Sequence, residues 1–170
     1  SALSAVSKIL NLPSDVDLAT LDPVKAAIEG DAAGQKVLAA GIQVMNTVAQ
    51  AQSAISGAGG ESVDTEMASQ AVFKSLANSL HKDQNFDLKK ADSGQQVIRS
   101  AASDSDLELS DAVKEAVEKQ TDNLTQLITE NNTAVHNVVE APNVGESLQV
   151  LEGMAKLAVV AQVILAKTLG

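Results

Sequence analysis

Cysteine, tryptophan and tyrosine are missing from this chain of 170 residues, and its only aromatic side chains are Phe73 and Phe86. Without cysteine there is no disulfide, no thiolate nucleophile and no Cys-ligated metal, although that lack does not by itself identify a compartment. Without aromatics, a hydrophobic content of 45% has to come from Ala, Val, Leu and Ile. Strands are normally rich in aromatic and β-branched residues, so this composition favours closely approaching helices over a sheet. Alanine, the best helix former, points the same way.

Positive charge is also scarce, with twelve basic residues against twenty-two acidic ones and a formal net charge of −10. Such a field repels a phosphate backbone and an anionic membrane surface, so nucleic acid is not an expected partner. Thirteen acids and seven bases fall between residues 61 and 122, where they read as a solvated, solubilising surface. Long apolar runs are absent too. The longest, Leu157 to Ala166, contains Gln162 and is bounded by Lys156 and Lys167, short of the ~20 residues that span a bilayer. It reads as a core helix, and no membrane insertion is expected. Ser1, where Met would start a chain, reads as a processed product or an excised fragment.

Helical periodicity fills most of what remains. Leu3, Val6, Ile9 and Leu10 space a short helix over Ala2–Leu12 that Pro13 stops. Asp22-Pro23 is an N-cap followed by proline in the first turn, opening a brief helix to Ile28 that Gly30 closes. From Asp31 to about Ser56, Val37, Gly41, Val44, Val48, Ala51 and Ile55 form one seam, widened by Leu38, Ile42 and Met45. No charged residue stands between Lys36 and Glu61, which suggests a central helix that breaks at Gly57-Ala58-Gly59-Gly60. A further helix over about Asp64–His81 should bury Met67, Ala71, Val72, Leu76 and Leu80. A weaker pattern covers Asp87–Ala102. A long helix starts at Ser110 and reaches Ala141, where Pro142 ends it, and a last one covers about Val144–Leu169. No fixed-period repeat and no long linker divides the chain. The expected fold is therefore all-α, a single domain over residues 1–170, built as an antiparallel bundle of about five to seven helices.

The chemistry-bearing residues are few. His81 and His136 lie on different expected helices, no HExxH pair occurs, and Gly57 to Gly60 lacks the lysine of a phosphate loop and follows a helix. No catalytic residue is assigned, and the expected class is not an enzyme. Asp104, Asp106, Glu108 and Glu115 stand at calcium-loop offsets of one, three, five and twelve. Leu109, however, occupies the position where such a loop needs glycine, so capping of a helix start is the first reading and calcium the second. Asp83, Asn85 and Asp87, and likewise Asp15, Asp17 and Asp22, make poorer versions. Gln43, Asn46, Thr47 and Gln50 form an uncharged polar stripe on the central helix, and Asn132 and His136 another on the long helix after Ser110. Buried amides need partners, so on the central helix a register-fixing network is weighed against a ligand or partner site, whereas at Asn132 and His136, grouped with Asn131 and Glu140, surface solvation is weighed against such a site. Asn123-Leu124-Thr125 and Asn131-Asn132-Thr133 match glycosylation acceptors, though both lie on expected helix.

The strings Leu12-Pro13-Ser14-Asp15-Val16-Asp17-Leu18, Leu21-Asp22-Pro23, Ala26-Ala27, Gly30-Asp31 and Gln43-Val44-Met45-Asn46-Thr47-Val48 resemble an alanine-rich helical module of very large secreted or surface-attached bacterial proteins. There the module accompanies cadherin-like and calcium-binding repeats, as in adhesins. The resemblance is densest over residues 9–56 and loosens through about residue 90. It implies an extracellular or cell-surface location and a non-catalytic spacer, cap or docking surface for protein or polysaccharide. It implies no catalytic motif and no resident cofactor, and the glycine-aspartate calcium repeats of its usual neighbours are not in this chain. The alternative function is a carrier, in which small Ala and Val side chains leave an apolar cavity for a small ligand.

Overall fold

A computed structural model describes Ser7, residues 12–83 and residues 85–139, with the side chains of Ile28 and Val139 left aside. The helices expected over Ala2–Leu12 and Val144–Leu169, with Glu140 and Pro142, lie outside the described residues apart from Ser7 and Leu12. Among the described residues there are five α-helices and no strand: α1 Pro23–Ile28, α2 Ala32–Gly59, α3 Thr65–Lys82, α4 Ala91–Ala102 and α5 Asp111–Val139. Short 3-10 turns at Gly60–Ser62 and Ser105–Leu107 precede α3 and α5. The all-α bundle expected from composition is the fold.

Four of the five described helices start where a side chain satisfies free amides of the first turn, and α4, which follows Lys90, has no such cap. Asp22 Oδ1 accepts from the backbone N–H of Val24 and Lys25 at 3.1 and 3.0 Å, with Pro23 in the first turn. Asp31 accepts from Gly34 at 2.8 Å, Asp64 from Glu66 and Met67 at 2.8 and 2.9 Å, and Ser110 from Val113 at 3.3 Å. These acids also suit the positive end of the helix dipole. The 87–102 segment differs from expectation. The Asp87 carboxylate turns onto the Lys89 N–H at 3.0 Å and closes a turn, so helix α4 begins only at Ala91.

The four longer helices form a ring in which α2 packs on α3 and α5, and α4 packs on α3 and α5. Neighbours run antiparallel. Gln95 meets Asp122 and Arg99 meets Glu118 across α4 and α5, so rising positions on one helix meet falling positions on the other. Helix α1 lies across the start of α2, where Gly34 lets the α1 backbone come close. The core is aliphatic: Ile55, Val72, Val97, Ile98, Val117, Leu124 and Ile128 are at most 2% exposed. Full burial of such a side chain stabilises by ~1.5–3 kcal/mol.

Three burial expectations are corrected. Met45 is 60% exposed, Met67 43% exposed, and Gly41 is exposed with open space where a Cβ would stand. Periodicity alone places these residues on an apolar seam, but α2 and α3 each meet the ring over a narrower arc than the seam spans. The break expected at Gly57 to Gly60 also comes later. Gly57, Ala58 and Gly59 stay helical, and the reversal falls on Gly60, whose φ of +56° belongs to the left-handed region that glycine adopts without strain.

Candidate functional site

Asn132 of α5 joins the polar stripe of α2 in a single network. Asn46 donates from Nδ2 to Asn132 Oδ1 at 2.9 Å, and Gln50 Nε2 donates to Asn46 Oδ1 at 2.6 Å. Asn132 Nδ2 in turn donates to Thr47 Oγ1 at 3.2 Å and to the Leu88 carbonyl at 3.0 Å, while Gln43 Nε2 donates to the Asn132 carbonyl at 3.1 Å. The Thr47 hydroxyl donates back to the Gln43 carbonyl, 2.8 Å away. Asn46, Thr47, Gln50 and Asn132 are all at most 3% exposed. One asparagine side chain thus ties α5 to α2 and to the link between α3 and α4.

Both of Asn132's amide protons and its oxygen are engaged, so this group has little capacity left for a ligand. His136 lies one turn further along α5 and is half-buried. The solvated surface expected at Asn132 is overturned, because Asn132 is fully buried, and its union with the α2 stripe depends on the antiparallel register of α2 and α5. Four buried side-chain oxygens have no hydrogen-bond partner among the described residues: Gln50 Oε1, Ser56 Oγ, Thr125 Oγ1 and Thr129 Oγ1.

The acidic residues with calcium-loop spacing are not brought together. Asp104 and Asp106 flank the ammonium of Lys74 on α3, at 2.9 and 3.1 Å. Glu115 pairs instead with Lys119 at 2.8 Å along the outer face of α5. Glu108 is exposed with φ +46°, and Leu109 beside it is buried in the core. Among the described residues no three acids or histidines gather as a metal would need. The charge pairs set the protonation states. The Asp106 backbone N–H, and after it Lys74, hold the Asp104 carboxyl below the usual range. Arg99 does the same for Glu118, and Lys119 for Glu115. Lys74 is raised by Asp104 and Asp106.

The remaining candidates are spent or covered. A shallow surface cavity of about 500 Å³ gathers Asp15, Asp17 and Asp22 with Lys25 and Glu29. The Asp17 and Asp22 carboxylates there cap their own turns, on Ala19 N–H and on the start of α1. His81 is exposed in the last turn of α3, where it complements the dipole. Both glycosylation triplets lie within helix α5, and Thr125 and Asn132 are buried. No helix among the described residues is long and apolar enough to cross a membrane. Compared with protein-family models, with curated proteins and with solved structures, the chain matches none.

Proposed function

We propose that this domain is a non-catalytic structural or binding module of a bacterial cell-surface or secreted protein, serving as a spacer, cap or docking surface for a protein or polysaccharide. The observation that carries the non-catalytic part is the direction in which its polar side chains are spent. Gln43, Asn46, Thr47, Gln50 and Asn132 bond to one another and to backbone carbonyls, and so fix helix register. Asp104 and Asp106 hold Lys74 and fasten the loop before α5 to α3. Groups that would otherwise present reactive or ligating atoms serve the scaffold. The surface location rests on the resemblance of residues 9–56, and the acidic balance suits it.

Thermal unfolding of the full chain tests the proposal, because anything that binds only the native state raises its stability. The chain is melted alone, with millimolar calcium, with a panel of apolar small molecules and with a panel of polysaccharides. The docking role predicts a rise with a polysaccharide, and the spacer role none with any of them. A large rise with an apolar compound would replace the proposal with a carrier. A rise with calcium that an Asp104→Asn variant abolishes would show that Asp104 leaves Lys74 for a metal.

A further inference from the structure

The buried amides of α2 and α5 run in one direction. The Leu88 carbonyl can only accept, so the group of Asn132 that faces it is Nδ2. Asn132 Oδ1 is thereby turned to Asn46, whose Nδ2 donates to it, and Asn46 Oδ1 is turned to Gln50, whose Nε2 donates in its turn. Exchanging the oxygen and nitrogen of any one of these amides would set acceptor against acceptor or donor against donor. A backbone group thus fixes the direction of the whole line, and its last acceptor is Gln50 Oε1. Gln50 is 0% exposed, and this oxygen has no partner among the described residues. A bare acceptor in a core carries its full desolvation penalty, so native proteins pair nearly all such groups with protein or with ordered water.

The antiparallel register brings a second unpaired oxygen to the same level. From the bond between Asn46 and Asn132, four residues along α2 lead to Gln50 and three residues back along α5 lead to Thr129. At 1.5 Å of rise per residue the two stand within about 2 Å of each other along the bundle axis. Each shares a helix face with its asparagine, at spacings of four and three. Thr129 Oγ1 is buried and has no partner among the described residues. Thr125 Oγ1 is unpaired as well, but both branches of that side chain lie within 4 Å of a Cβ built on Gly94, so this hydroxyl turns toward α4.

We propose that Gln50 Oε1 and Thr129 Oγ1 hold one buried water molecule between α2 and α5. The water donates one proton to the Gln50 oxygen and accepts from the Thr129 hydroxyl. Its second proton goes to the spare lone pair of a helix carbonyl, which completes the three hydrogen bonds usual for a buried water. The occupant has to be a donor, which excludes an apolar molecule. It has to be neutral, because α2 carries no charge from Val37 to Gly59 and a cation at this level would stand unpaired in the core. Ala51, Ala54 and Ile128, at neighbouring positions of the two helices, are at most 1% exposed. The occupant is therefore enclosed as the chain folds, and is small. The site belongs to the scaffold and holds whichever partner the outer surface takes.

A crystal structure of the full chain, fine enough to show ordered solvent, tests the site. One water should lie within about 3.2 Å of both Gln50 Oε1 and Thr129 Oγ1. A protein N–H or O–H donating to Gln50 Oε1 in its place, or no density at that position, would overturn the inference. Two substitutions that keep side-chain shape give an independent reading in solution. Thr129→Val removes a partner of the water and should lower the melting temperature by about 2–4 °C, whereas Thr125→Val removes an oxygen outside the site and should raise it by a similar amount. A melting temperature for Thr129→Val at or above the parent's would show a hydroxyl that holds nothing, and no bridge.

Discussion

Asn46 on α2 and Asn132 on α5, 86 positions apart, join their side-chain amides at 2.9 Å inside the bundle. Replacing Asn132 by Ala leaves the Asn46 amide and the Leu88 carbonyl without that partner, and opens a small void besides. Each buried group left unpaired costs ~1–3 kcal/mol. Asn132→Ala should therefore lower stability by about 3 kcal/mol or more in a urea titration. A loss under about 1 kcal/mol would mean that water replaces the amide freely and that the network does not set register.

The Thr125 hydroxyl predicts the opposite sign. Thr125 is 1% exposed and its Oγ1 has no partner among the described residues, while its Cγ2 faces Gly94 on α4. Thr125→Val keeps the shape and removes a desolvated oxygen, so it should stabilise the fold by about 1 kcal/mol. Destabilisation by a similar amount would reveal a hydrogen bond made through solvent.

Two glycines of apparently equal standing should respond differently. A Cβ on Gly34 would meet the Ala26 side chain and stand 2.8 Å from the Ala27 nitrogen, which is helix backbone and cannot step aside. On Gly94 it would meet only the Thr125 methyl, at 3.1 Å. Gly34→Ala should cost about 1–3 kcal/mol by overpacking α1 on α2. Gly94→Ala should stay within about 1 kcal/mol of the parent, because the gain in helix propensity offsets a small side-chain shift. Denaturant midpoints of the two variants measure the difference.

Legibility from sequence followed how local the cause is. The starts at Asp22, Asp31, Asp64 and Ser110 were readable because a cap and its amides lie within three residues. The fourth helix was placed early at Asp87, because an acid that caps a helix and one that closes a turn look alike in sequence. Met45, Met67 and Gly41 were placed inside because spacing marks which side of a helix is apolar, and not how wide an arc its neighbours cover. The calcium spacing over Asp104 to Glu115 failed to converge because it assumes a loop. Leu109 enters the core, and the helix from Asp111 carries Glu115 away to Lys119. Gln43 and Asn46 stand out in the sequence as amides needing partners, whereas Asn132, expected on a solvated face, is fully buried. Their pairing needed the register of two helices more than 80 residues apart.

The acid limb of stability should trace to the loop before α5. Asp104 has its carboxyl held low by the Asp106 N–H and by Lys74, so the folded state takes up its proton less readily than the unfolded chain. A depressed carboxyl contributes fully above the unfolded value, about 4, and loses that contribution as pH falls through the folded value. Glu115 and Glu118 have the same sign. Lys74, raised by its two aspartates, contributes fully below its unfolded value and loses that contribution only as pH rises past about 10. The melting temperature should thus be nearly flat from about pH 5 to 9 and fall below about pH 4. Asp104→Asn keeps an oxygen for the Asp106 N–H but gives up the charge facing Lys74. Its melting temperature should lie below the parent's at pH 7 and converge on it as pH drops, since protonation removes the same charge from the parent. Curves for parent and variant that stay parallel down to pH 2 would assign the acid limb to other carboxylates.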